Sequence, residues 1–137
     1  MLKKMNAGDL LGAISEHVEG RTGIRCHTAQ PDDQPSPLYY AQLVKTEPRN
    51  TKGYFIERYK MWFHCVAEPV EPHSDGPALD LVNMLEEALT DEIRLPRPFI
   101  LHNQEGGGIQ SVKKDESGEG HAVVAYDFDI QWGFRCK

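Results

Sequence analysis

The chain has 137 residues, of which 39% are hydrophobic and 26% are charged, and its formal net charge at pH 7 is −6. This apolar content is enough for one core, so we expect a single domain over residues 1–137. The acidic balance argues against nucleic acid as the main ligand, because binding a phosphate backbone requires a basic surface. No run approaches the roughly 20 apolar residues of a membrane span and nothing marks the chain for export, so we expect a cytoplasmic protein without a membrane partner.

The first predicted element is an amphipathic helix from Asn6 to Val18. Its apolar residues recur at helical spacing, and Asn6 and Gly20 are suitable as N-cap and stop; the stripe consists of Leu10, Leu11, Ile14 and Val18. A short β-prone segment follows at Ile24–Thr28. The proline-rich stretch Ala29–Pro37 then predicts an exposed loop.

Two strands are predicted next, Leu38–Thr46 and Tyr54–Ala67, joined by a turn. The alternation in the second strand divides its side chains between two faces. One face carries Phe55, Tyr59, Met61, Phe63 and Cys65, and the other carries Tyr54, Ile56, Arg58, Trp62, His64 and Val66. Because both faces contain aromatic residues, we expect each to be covered, one of them by another layer or another subunit.

The second half of the chain predicts one helix and three strands. A loop at Glu68–Asp75 precedes a helix capped by Ser74 or Asp75 and running to about Glu92, with an apolar stripe at Leu79, Val82, Leu85 and Leu89. Short strands at Phe99–His102 and Ile109–Lys113 flank a turn at Gly106–Gly108. The last strand places an unbroken alternating series on its core face, made of Ala122, Val124, Tyr126, Phe128, Ile130, Trp132 and Phe134.

This order, α-β-β-β-α-β-β-β, has no βαβ rhythm. The predicted fold class is therefore α+β, a mainly antiparallel sheet packed on one side by two helices. The long segments Ala29–Pro37, Glu68–Asp75 and Asn103–Gly120 are either plain surface loops or segments that become ordered on a partner.

Asp127 and Asp129 are candidate catalytic groups, because residues two apart on a strand project from one face, roughly 6–7 Å apart. A glycosidase uses two carboxylates at such a separation. The alternative is an acidic stripe that faces solvent or a pore. A small hydrolase would require these carboxylates to converge with His121 or His64 in one pocket.

Metal and cofactor sites are not predicted. The dipeptides Cys26-His27 and His64-Cys65 point their side chains to opposite faces of a strand, so each offers at most one ligand to a site. Gly106–Gly108 precedes a strand and lacks the context of a nucleotide-binding loop. We expect free thiols at all three cysteines, Cys26, Cys65 and Cys136.

The element pattern resembles the tail terminator, or tail completion and head–tail joining, proteins of long-tailed phages and prophages. The resemblance covers nearly the whole chain and is one of pattern. It is carried by the opening helix with Leu10-Leu11 and Ile14, the strand at 38–44, the long strand Tyr54–Ala67 with Arg58, Tyr59 and Phe63, the second helix, and the closing strand with Tyr126, Phe128 and Ile130.

The resemblance implies a structural subunit without an active site. Such subunits form a ring, typically of six, that caps the tail tube protein and meets the head connector protein, first in the host cytoplasm and then in the virion tail. The subunit interface would include Tyr54, Ile56, Trp62 and Val66. Asp127 and Asp129 would face a lumen through which DNA passes without specific binding. A monomeric ligand-binding or adaptor domain is the alternative.

Overall fold

The computed structural model describes residues 3–32, 34–69, 76–114 and 118–135. In these ranges the chain forms two helices and five strands: α1 (Ala7–Thr22), β1 (Cys26–His27), β2 (Leu38–Pro48), β3 (Tyr54–Ala67), α2 (Gly76–Ala88), β4 (Ile100–Lys114) and β5 (Gly120–Phe134). The strands form one sheet in the order β1-β2-β3-β5-β4. Only β1 and β2 pair in parallel; the other neighbours are antiparallel. The predicted α+β class with a mainly antiparallel sheet is confirmed.

Both ends of helix α1 carry residues that are suited to capping a helix. The Asn6 side chain accepts a hydrogen bond from the Gly8 N–H at 2.7 Å, which satisfies one of the unpaired amides of the first turn. Gly23, at φ 74°, ends the helix in the left-handed conformation that glycine tolerates best. The helix therefore runs one turn beyond the predicted end at Val18.

The core lies between the helices and one face of the sheet. Helix α1 contributes Leu10, Ile14 and Val18, and α2 contributes Ala78, Leu81, Val82 and Leu85. Facing them are the alternate residues Tyr59, Met61, Phe63 and Cys65 of β3 and Val124, Tyr126, Phe128 and Ile130 of β5. Buried hydroxyls fix the layers to each other, since Tyr39 Oη donates to the Leu81 carbonyl at 2.7 Å. Burial raises the pKa of Cys65 to about 12, so this thiol is an inert core group.

Strand β4 corrects the prediction of two strands around a glycine turn. It runs continuously from Ile100 to Lys114 and pairs with β5, with register shifts near His102, Gly107 and Gln110. Gly107 lies where an added Cβ would come within 3.2 Å of the Ala125 Cβ, so glycine permits a close approach there. The expected loop at Asn103–Gly120 is thus mostly strand.

The end of β5 corrects the predicted alternation. Phe55 pairs with Gly133 and Ile56 with Gln131, so Trp132 is an extra, unpaired residue in β5. This β-bulge reverses the faces of the residues that follow, because strand alternation has a period of two. Phe134 therefore lies opposite Tyr54, away from the core, and is 63% exposed.

Helix α2 ends at Ala88, earlier than the predicted Glu92. Leu79, expected in its apolar stripe, is 37% exposed. The predicted caps Ser74 and Asp75, most of the loop Glu68–Asp75, and Cys136 lie outside the described residues.

Candidate assembly surface

The side of the sheet that faces away from the helices is called the open face here. From β3 it presents alternate residues, among them Arg58, Lys60, Trp62 and His64. Their partners in β2 and β5 lie on the same face, since directly paired residues project to the same side. Within the described residues, neither helix packs on this face.

The residues predicted for a subunit interface differ in accessibility. Tyr54 is 38% exposed and Trp62 is 36% exposed, both high values for large aromatic side chains. Val66 is half-buried. Ile56 is 5% exposed, so it supports the surface from below and offers little area to a neighbouring subunit.

Asp127 and Asp129 do lie on the open face, but as members of ion pairs and not as a solvated acidic stripe. Arg58 Nε donates to Asp129 Oδ1 at 2.7 Å and Arg58 Nη2 to Asp129 Oδ2 at 3.0 Å, a bidentate pair. Asp127 lies 3.9 Å from both the Arg58 and Lys60 side-chain nitrogens. The hydrogen bonds that Arg58 donates to Asp129 raise the pKa of Arg58 above its usual range. The negative charge of the two carboxylates is therefore largely offset by β3.

A histidine cluster occupies another part of the open face. His64 Nδ1 lies 2.9 Å from His121 Nε2, and His64 Nε2 lies 2.7 Å from Gln42 Oε1. Tyr40 stacks on the His64 ring with 4.2 Å between ring centroids. Burial and the neighbouring His121 lower the pKa of His64 to about 4. His64 is thus neutral at physiological pH, with Nε2 donating to Gln42 and Nδ1 accepting from His121.

The carboxylates and the histidines do not converge. His121 and Asp127 are six positions apart on β5, which corresponds to roughly 20 Å along a strand. The cavity that reaches His121 is lined by Tyr40, Val66 and Glu119 and by residues on both sides of position 33, and neither Asp127 nor Asp129 borders it. The arrangement required by the hydrolase hypothesis is therefore absent from the described part of the chain.

A largely apolar cluster, called the end patch below, lies at one end of the open face, and sequence reasoning predicted only its member Tyr54. It consists of Tyr54, Ile100, His102 and Phe134. The Tyr54 ring lies 5.6 Å from Phe134 and 5.5 Å from His102, measured between centroids. Ile100 is 50% exposed. Gly133 within a strand pattern was the one available signal, because an isolated glycine in a strand suggests a bulge.

Among the described residues, no group of three or more His, Cys, Asp or Glu side chains is arranged to hold a metal ion. Neither α1 nor α2 is long and apolar enough to cross a membrane. What the surface offers is exposed aromatic area, paired charges and a long sheet face, and these are features of a protein that acts through contacts with other proteins.

Comparisons with known proteins agree with this class. A family model for phage tail terminators, described as tail termination proteins, matches residues 1–137, and the chain belongs to this family. Its role is therefore structural, in the assembly of a phage tail. Among solved structures, a chain from "Virion of native gene transfer agent (GTA) particle" has the same fold, with a TM-score of 0.64 at 14% identity over 94% of this chain and 99% of that chain. No curated protein sequence matches this chain.

Proposed function

We propose that the protein forms a closed ring, typically of six copies, which caps the tail tube and stops its polymerisation. The ring would then present a surface to the head connector protein, and DNA would pass through its lumen without specific binding. Assembly would take place in the host cytoplasm, and the ring would stay in the virion tail. No catalytic step belongs to this function.

The exposure of Trp62 and Tyr54 on the open face carries this proposal. Two helices cover one side of the sheet, and the other side keeps large aromatic surfaces in contact with water. A monomer gains free energy by covering such a surface, at about 25 cal/mol per Å² of apolar area. In the proposed ring, a neighbouring copy of the same subunit covers this surface.

The lumen placement of Asp127 and Asp129 stays a prediction, and their pairing bears on it. Two unpaired carboxylates would repel passing DNA, whereas carboxylates paired with Arg58 and Lys60 present little net charge. The pairing therefore favours a position in a subunit contact, where buried charges need partners.

The test is imaging and light scattering of the purified protein, dilute and concentrated, with and without its tail tubes. We expect monomers in dilute solution, because a small interface depends on mass action, and closed rings at high concentration or at tube ends. A protein that stays monomeric under all these conditions would instead support a monomeric ligand-binding or adaptor domain.

A further inference from the structure

Charge is unevenly distributed between the two sides of the molecule. The outer surface of the helices and of the loop after α2, called the helix layer below, exposes acidic side chains with few cations among them. They include Asp9, Glu16, Asp80, Glu86, Glu87 and Glu92. The cations of the helix layer include Arg21, which is already paired with Asp91, and the exposed Arg94 and Arg97 in the loop after α2. This side therefore carries much of the acid behind the net charge of −6.

The end patch has the opposite character. Lys52 and Arg135 lie at the same end of the sheet, and both are exposed. The Arg135 guanidinium lies over the Phe55 ring on the helix side of β3, 5.6 Å from the ring centroid. The Arg135 N–H donates to the Gly53 carbonyl at 3.0 Å, and Arg135 Nη1 donates to the Thr51 carbonyl at 2.9 Å. These bonds fix the end of β5 to the β2–β3 turn. The patch is therefore a pre-organised surface, which lowers the entropic cost of binding.

The helix side also exposes apolar area that the end patch can cover. Leu79 on α2 is 37% exposed. Ile109 and Val112 of β4 pair with the core residues Val124 and Ala122, so they project to the helix side, where they are 47% and 37% exposed. Acidic groups and apolar side chains thus occur together on the side opposite to the end patch.

From this complementarity we propose that the end patch of one copy docks on the helix layer of the next copy, head to tail. The proposal rests on the proposed ring and assigns two surfaces that take part in its contact in addition to the open face at Trp62. Because the surfaces differ, each copy uses its front on one neighbour and its back on the other, and such heterologous contacts close into rings. Phe134 supplies the apolar anchor, and Lys52 and Arg135 meet carboxylates of the helix layer.

Of the three ways to pair these two surfaces between copies, only the head-to-tail one brings opposite charges together. Pairing two end patches would bring Lys52 and Arg135 of both copies together, and pairing two helix layers would bring acid against acid. Like charges placed opposite each other in an interface oppose association. The contact is also sensitive to salt, since exposed charges are screened over about 8 Å at physiological ionic strength.

The experiment uses two complementary charge-reversed variants of the full chain. One carries Lys52→Glu with Arg135→Glu, and the other carries Asp80→Lys with Glu87→Lys, which lie seven residues apart on one face of α2. Each variant alone places like charges across every contact. In an equal mixture, alternating copies restore opposite charges at every contact, and a ring with an even number of subunits can close.

We expect each variant alone to need about tenfold or more of the wild-type concentration for ring formation, and the mixture to recover the wild-type threshold. Thermal melts check that both variants fold, and a third variant, Phe134→Ser, tests the anchor without a charge change and should also raise the threshold. If the wild type forms rings and the variants assemble as well as the wild type, this contact is overturned while the ring itself stands. The same holds if the variants are impaired but their mixture does not recover. Absence of wild-type rings, with and without tubes, would overturn the ring itself.

Discussion

At the scale of single residues, the open face combines groups that a sequence pattern cannot pair. Arg58 and Asp129 are 71 positions apart in the chain, yet they form a bidentate ion pair because β3 and β5 are neighbours in register. The sequence indicates two carboxylates on one face of a strand, and this is confirmed. Their neutralisation depends on the strand pairing, which the sequence leaves open.

The His64 cluster predicts a pH dependence of stability. Folding lowers the pKa of His64 from 6.5 to about 4, so between these pH values the unfolded chain binds a proton that the folded chain does not. The contribution of the neutral His64 imidazole to the free energy of unfolding is therefore fully present above about pH 6.5 and is lost as the pH falls towards 4. Protonation would also place a hydrogen on Nδ1, which now accepts from His121.

Urea denaturation of the wild type and of His64→Gln between pH 4 and pH 7 measures this effect. The variant keeps a polar side chain near Gln42 but cannot titrate, so its stability should fall less on acidification. Carboxylates titrate in both proteins and cancel in the comparison. Parallel pH profiles for the two proteins would contradict the role assigned to His64.

At the scale of elements, the sequence predicts the long β3 strand with its bounds, because aromatic and β-branched alternation over 14 residues is a strong signal. It is wrong at β4, where glycines that usually mark a turn continue a strand through register shifts. It is also wrong beyond Trp132, where one unpaired residue moves Phe134 to the other face. Bulges are set by pairing between strands, so local alternation does not reveal them.

Two phenylalanines of β5 test this correction. Phe128 is 0% exposed and Phe134 is 63% exposed. We expect Phe128→Ala to cost about 2–5 kcal/mol of stability, as truncation of a core aromatic does, and Leu85→Ala to cost a similar amount. Phe134→Ala should stay within about 0.5 kcal/mol, the usual range for a surface substitution.

Denaturant midpoints of the monomer at low protein concentration give these values without any contribution from assembly. The two phenylalanine variants remove the same atoms from the same strand and differ only in the face they occupy. If Phe134→Ala lowers the stability more than Phe128→Ala does, β5 follows the unbroken alternation and has no bulge at Trp132.

At the scale of the whole molecule, the two helices of the described chain cover one side of the sheet and neither of them packs on the other side. The two helices complete the core on one side of the sheet. The exposed aromatic residues are concentrated on the open face and at its end. A small contact of this kind gives weak association in solution, because lost rigid-body freedom offsets much of the apolar gain. A tube end that holds several copies together raises their effective concentration and favours ring closure.

Trp62 lies at the centre of this surface, and its substitution tests whether the open face takes part in assembly. Trp62→Glu would place an additional carboxylate in the contact, where a buried charge without a partner is costly. We expect it to abolish rings, both at high protein concentration and on tail tubes, while the monomer melts close to the wild-type temperature because Trp62 is 36% exposed. Trp62→Phe is the matched control, since it keeps an apolar ring at this position and should still assemble. Negative-stain images and light scattering of the three proteins give the readout. If Trp62→Glu forms rings at the wild-type concentration, the open face takes no part in the subunit contact.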